Sequence, residues 1–317
     1  MDMFRKAWGW LSNNPHQLIG IRVLQVCIGA ALLFEICTEL PFVAFFWGPR
    51  GIGWGSTSPA LGPAAKAAFN AIFATDAGVL AVLFILCLGA LGLVLGYTTR
   101  LATLLAFVAF SLLIQRLPEL GDGGDNATKI VLLYMCFLLP HRAEALAGQL
   151  SIWLHNLAVL AIALQLTVLY ITSSFAKAMG ETWQHGIAMY YISQVQWFTL
   201  PGVHTLFMNP VIVTATTYIP MFYQLLFPIA IFSRIKLPWI ALGLFFHLGI
   251  AILMGLLSFS TVMIGLELFF ISDQEYKMIW EKTSQIWKQV YHASGRLLIK
   301  QEKTLSRAHQ GFSDDPK

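Results

Sequence analysis

Charge is what this chain has least of. Asp, Glu, Lys and Arg make up 11% of its 317 residues, where a soluble domain carries about 25%. Apolar residues make up 57%, and the mean hydropathy is +0.68. A water-soluble fold of this length could not bury so much apolar surface, which excludes disorder and an ordinary cytosolic enzyme. Cysteine is also scarce. Cys27, Cys37, Cys87 and Cys136 all lie inside apolar runs without metal-type spacing, which argues against a disulfide-stapled secreted module and points to small buried hydrophobes. There is no glycine-rich phosphate loop and no paired-histidine metal pattern. Nothing marks a Ser-His-Asp site. The net charge of +4 forms no basic stripe, so a nucleic-acid partner is not expected. The first 17 residues contain no signal-peptide core, so the first apolar run is expected to stay in the protein.

What the chain does have is a succession of apolar runs. A spanning helix needs about 20 largely apolar residues. The candidates are Leu18–Phe34 with an extension to Phe46, Gly78–Gly96, Leu101–Ile114, Ile130–Leu139, Leu157–Ala176, Val211–Phe232, Leu237–Met254 and Leu257–Ile271. The expected fold is therefore an all-α polytopic membrane bundle of about eight transmembrane helices. With the N-terminus in the cytoplasm, basic residues divide 14 to 5 in favour of the inner side. The positive-inside rule then puts both termini in the cytoplasm of a multi-pass cell-membrane protein. Two outer loops, 47–77 and 180–209, are rich in aromatics and read as interfacial pieces that roof the bundle. Residues 1–272 form the transmembrane domain. Residues 273–317 form a cytoplasmic amphipathic helix and tail, with Trp280, Ile286, Trp287, Val290, Leu297 and Leu298 at helical spacing. No internal transporter-type repeat is visible.

Ionisable side chains within spans are expensive and each asks for a role. Arg22 lies near the inner surface and reads as an anchor. Glu35 and Glu39 sit one helical turn apart on the outer half of the first span, as a paired acid site or as counter-ions for a lysine. Lys177 ends the fifth span in YITSSFAKAMGETW, on one stripe with Tyr170 and Ser173 or Ser174. A lysine desolvated beside hydroxyls can serve as base or nucleophile; at a helix end it can equally be an outward-snorkelling anchor. His247 stands about ten residues into the seventh span, where it can be a helix–helix contact or a proton carrier. By elimination, Glu35 or Glu39 is expected to pair with Lys177, with Tyr170 alongside.

Four stretches in order carry a resemblance: IGIRVLQVCIGA at 19–30, LGALGLVLGYTTRLATLLAF at 88–107, SSFAKAMGETWQHGIAMYY at 173–191 and FFHLGIAILMGLLSFSTVMIGLELFF at 245–270. The spacings K-x5-W-x2-G from Lys177 and H-x6-M-x4-F from His247 are part of it. Over residues 18–272 the chain resembles the HTTM (horizontally transferred transmembrane) domain shared with the vitamin K-dependent γ-carboxylase. That resemblance implies a membrane enzyme scaffold with its site on the outer face and a quinone as cofactor. Lys177, Trp183, Gly186 and His247 match family positions. The carboxylase has a second, catalytic lysine where Ala178 stands here, and an Asn-His where this chain has Asn126-Ala127. Its large C-terminal extramembrane region has no counterpart. Vitamin K-dependent glutamate carboxylation is therefore not expected.

In size the chain looks more like bacterial membrane proteins of the sporulation-delaying-protein maturation type, which act on an exported precursor with a small partner. The resemblance implies a maturation or modification factor for an exported peptide or a membrane-soluble substrate. Lys177 and His247 are its candidate catalytic residues, and Glu35, Glu39, Tyr170 and Trp183 its candidate substrate contacts. A non-enzymatic scaffold binding lipid, quinone or peptide is the competing expectation. Membrane lipids are partners in either case.

Overall fold

The computed structural model describes residues 2–53, 62–96, 99–139, 148–195, 199–288 and 291. The chain divides into two units, residues 1–271 and 272–317. Among the described residues the regular structure is helical throughout. The first unit contains α1 (Asp2–Ser12), α2 (Leu18–Glu39), α3 (Val43–Phe46), α4 (Pro63–Phe73), α5 (Asp76–Leu95), α6 (Thr99–Arg116) and α7 (Gly123–Met135). After these come α8 (Gln149–Ala178), α9 (Glu181–Gln184), α10 (Ala188–Ile192), α11 (Pro210–Ala230), α12 (Lys236–Met254) and α13 (Leu257–Leu268).

Among the described residues five segments are long and apolar enough to cross a membrane: Leu18–Phe46, Asp76–Leu95, Gln149–Ala178, Pro210–Ala230 and Lys236–Met254. The other three expected spans fall on α6, α7 and α13, the fourth span only in part, since it was expected over Ile130–Leu139 and α7 runs Gly123–Met135. Of these, α7 has 13 residues and α13 has 12, short of the length that crosses a bilayer alone. The outward faces are apolar. Phe232, Phe245 and Ile229 are 87%, 74% and 71% exposed, a surface that suits lipid and not water. The protein is an all-α membrane protein.

Local sequence sets the helix ends. Thr75 accepts from Gly78 N to start α5, and Asn209 accepts from Val211 N and Ile212 N ahead of Pro210 to start α11. Asp122 and Asp125 form a reciprocal capping box at the start of α7. These side chains satisfy N–H groups that the first helical turn leaves without partners.

One buried face per helix then fixes the packing. Ile21, Leu24, Ile28 and Leu32 form that face on α2, which packs against α5 and α13. Ala90 of α5 and Ala102, Ala106 and Ala109 of α6 are buried, small side chains that let those two helices approach closely. Next to α13 lies α12, α11 packs on α8, and α7 touches α6, α8 and α13.

Three expectations need correcting. The fifth span was expected from Leu157, but α8 begins at Gln149; His155 and Asn156 belong inside the fold because the chain around residues 10–16 satisfies them. Arg22 is more than an anchor: it donates to Leu93 O at 2.5 Å and to Val94 O, closing carbonyls that the last turn of α5 leaves open. The four cysteines are free, but Cys37 is exposed and the other three are half-buried, Cys87 among them packed against the core.

The second unit is described over 272–288 and at Tyr291. Residues 273–288 are helical, opened by Ser272, which donates through its backbone N and its Oγ to Glu275. Trp280 and Trp287 are 76% and 72% exposed. Val290, Leu297 and Leu298 of the expected amphipathic pattern lie outside the described residues.

Candidate functional site

Where α8, α11, α12 and α13 meet, four polar side chains are sealed from the surroundings. Tyr170, Tyr223, His247 and Glu267 are between 0 and 2% exposed. Tyr170 Oη donates to Glu267 Oε1 at 2.5 Å and Tyr223 Oη donates to the same oxygen at 2.8 Å. His247 Nε2 lies 3.0 Å from Tyr170 Oη and 3.4 Å from Glu267 Oε1. The other carboxylate oxygen, His247 Nδ1, Trp239 Nε1 and Ser260 Oγ are buried without a hydrogen-bond partner among the described residues, a concentration of unmet demand that is rare in a protein interior. Gly243 makes room for the cluster. A Cβ there would collide with Tyr223 Oη and both oxygens of Glu267, so α12 reaches the carboxylate only because it carries glycine at this turn.

A polar column runs along α8 from this cluster. Ser174, next along the stripe, donates to Met221 O at 2.9 Å. Lys177 follows, about 10 Å along the helix from Tyr170. Its Nζ donates to Ser173 Oγ at 2.6 Å and to Gln224 Oε1 at 2.9 Å, and lies 5.4 Å from the centre of the Trp183 ring. All of these partners are neutral. The indole face still stabilises the cation, by about 0.5–2 kcal/mol according to its desolvation. Gly186 explains the end of the K-x5-W-x2-G spacing. It takes φ +70 and abuts the Tyr218 ring, while Tyr218 Oη donates to Gln184 O at 2.6 Å. A left-handed residue here turns the chain after α9 so that Trp183 stays over the lysine.

The expected partnership of Lys177 with Glu35 or Glu39 is not formed. Neither carboxylate is within ion-pair distance of it, and α2 packs on α5 and α13. Glu35 accepts from Ser258 Oγ at 2.6 Å, at the start of α13. Glu35, Glu39 and Asp125 line a cavity of about 30 Å³ with Trp47, Phe110 and Leu117, room for about one water molecule. The structure therefore joins Tyr170 to His247 and Lys177 to Trp183, but places the two glutamates in a separate acidic pocket.

Tyr223 and Gln224 are not among the residues expected from the sequence, and Glu267, expected near the inner end of the eighth span and so away from Lys177, is the acceptor at the centre of the cluster. The signals were present: a carboxyl in GLELFF and a Tyr-Gln pair in MFYQLLF, both inside apolar runs, where polar groups need internal partners. What could not be read was which helices share them.

Two Bacillus subtilis (strain 168) proteins are similar to this chain. The uncharacterized protein YitO is 26% identical over 202 residues, 56% of this chain and 62% of YitO. Sporulation-delaying protein SdpB is 26% identical over 136 residues, 41% of this chain and 42% of SdpB. The chain thus spans less than two thirds of the length of either relative. No family model matches it, and no solved structure matches it.

Proposed function

We propose that this chain is an HTTM-type, multi-pass membrane protein that matures or modifies an exported peptide or a membrane-soluble substrate, with Lys177 as the group that meets the substrate at the outer leaflet. One observation carries the reading: Lys177 is a half-buried cation held by Ser173, Gln224 and the Trp183 face, with no carboxylate partner among the described residues. A structural lysine in an apolar bundle is normally compensated by an anion. A lysine supported only by neutral groups is left to engage an anionic or electrophilic group of a substrate. His247, Tyr170 and Glu267 stand behind it as a hydrogen-bonded set that positions α8 against α12 and α13. Similarity to sporulation-delaying protein SdpB fits the maturation-type resemblance from which the exported peptide is taken.

The quinone implied by the HTTM resemblance fits one feature. A groove lined by Tyr218, Phe222, Tyr223, Trp239 and Leu242 of α11 and α12 is almost wholly apolar, suited to an aromatic ring and its chain. A bound quinone would supply redox chemistry; the role given to Lys177 does not depend on it.

The test is genetic and chemical. Deleting the gene in its host is expected to remove or leave unprocessed one exported peptide in mass spectra of the culture medium. Complementation with Lys177→Arg should fail to restore that peptide although the variant reaches wild-type levels in the membrane. Full restoration by Lys177→Arg would overturn the role of the lysine. An unchanged peptide profile on deletion would overturn the peptide reading. The scaffold alternative, favoured by the complete closure of the Glu267 cluster, expects restoration.

The proposed topology has eight spans with both ends in the cytoplasm, α6, α7 and α13 crossing in the shelter of their neighbours. In a cysteine-free background, single cysteines at Ser56, Asn126 and Thr182 are expected to react with an impermeant thiol reagent added to intact cells, and one at Ser233 is not. Ser56 lies outside the described residues; the other three positions are exposed. Strong labelling at Ser233 would reverse the orientation.

A further inference from the structure

Far in sequence from Lys177, the N-terminal helix carries a second, differently built site. Arg5 and Lys6 on α1 and Asn13, Asn14 and His16 after it surround an open concavity of about 530 Å³ with Trp10. Among the described residues neither Arg5 nor Lys6 has a carboxylate partner, and the side-chain amides of Asn13 and Asn14 make no hydrogen bond. His16 is held in place: its ring stacks on Trp10 with centroids 4.4 Å apart, and its Nε2 lies 2.9 Å from Trp10 O.

The frame behind this concavity is rigid and buried. Asn156 of α8, 0% exposed, donates through Nδ2 to Trp10 O, Leu11 O and Asn14 O and accepts from His16 N through Oδ1. Its neighbour His155, also 0% exposed, reaches His16 O at 2.9 Å through Nε2 and accepts from Leu139 N through Nδ1. Gln149 Nε2 donates to Ser12 O at 2.7 Å, and Trp8 packs edge-on against Trp153. The last turn of α1 and the chain after it are thus locked onto α8 by its buried side chains.

The geometry points to a binding site for the phosphate group of an anionic phospholipid of the inner leaflet. Two cations and two amides, free of internal partners, converge on one concavity and can offer N–H donors to a single anion. Trp8 and Trp10 are 49% and 36% exposed on the same short helix, and an amphipathic segment with tryptophans and basic residues lies at the headgroup level of a membrane. The concavity therefore sits where phospholipid phosphates are. Basic pockets beside spanning helices on the cytoplasmic side select such headgroups.

Native mass spectrometry of the detergent-solubilised full chain, titrated with phosphatidylglycerol or phosphatidylcholine, tests this. One phosphatidylglycerol is expected to remain bound, with an affinity about thirtyfold lower in Arg5→Gln/Lys6→Gln. Phosphatidylcholine binding should not differ between the two proteins. Lys277→Gln/Lys282→Gln removes the same charge from the second unit and should leave the affinity unchanged. Equal phosphatidylglycerol binding by wild type and Arg5→Gln/Lys6→Gln, or an equal loss in Lys277→Gln/Lys282→Gln, would overturn the site in favour of diffuse attraction. Displacement of the lipid by millimolar inorganic phosphate would overturn the lipid assignment in favour of a soluble phosphate, and its failure supports the lipid.

Discussion

Glu267→Ala is expected to destabilise the bundle by about 3–5 kcal/mol, the range found when one partner of a buried charged network is removed. The carboxylate accepts from Tyr170 and Tyr223 and adjoins His247, and all four are sealed from solvent and lipid. Removing it strands the Tyr223 phenol and leaves Tyr170 and His247 only each other in the interior, and each stranded group costs about 1–3 kcal/mol. Tyr170→Phe and Tyr223→Phe should each cost less, about 1 kcal/mol, because the carboxylate keeps its other donor. In the Glu267→Ala background Tyr223→Phe should cost almost nothing, because the carboxylate it donates to is already gone, as expected for residues of one network.

Gly243→Ala probes the same cluster from α12 and should rank near Glu267→Ala, since its Cβ must displace the Tyr223 hydroxyl and the carboxylate together. Unfolding titrations in detergent micelles measure all of these. A Glu267→Ala protein within about 1 kcal/mol of wild type would show that the cluster does not hold the four helices together.

Asn156→Leu should have the second-largest effect, and it should be local. The amide closes two carbonyls at the end of α1 and one carbonyl and one N–H after it, while leucine fills a similar volume and closes none. The expected outcome is release of residues 2–17, with about 2–4 kcal/mol of local stability lost. Limited proteolysis should cut near Asn13 and Asn14 at least tenfold faster, the ratio set by 1.4 kcal/mol per decade. The core around Glu267 should stay protected. Because the phosphate-binding concavity rests on this clamp, retention of phosphatidylglycerol should fall with it. Unchanged cleavage would mean that α1 is held by its tryptophan contacts instead.

Much of the frame was readable because bilayer physics acts on composition and length. A run such as LAVLFILCLGALGLVLG has no stable alternative to a helix among apolar neighbours. Thr75, Asn209 and the Asp122–Asp125 box mark helix starts by local hydrogen bonding, so their roles need only a few residues of context. The stripe Tyr170, Ser173, Ser174, Lys177 is likewise a property of one helix and follows from its 3.6-residue period. Partners on different helices are another matter. Glu35, Glu39 and Lys177 stand as the obvious opposite charges along the sequence, yet α2 turns its glutamates toward Ser258 and Asp125, and Lys177 turns to Gln224.

Composition, spacing and local caps thus determined a helical membrane protein with a lysine-bearing stripe. They could not determine that Tyr170 meets Glu267 across 97 residues, or that Asn156 clasps the chain ends of α1 across more than 140. Those contacts depend on which helix faces which. That choice belongs to the tertiary structure, where the glycine at 243, the alanines between α5 and α6, and the need of every buried polar group for a partner select one packing from the many that hydropathy alone allows.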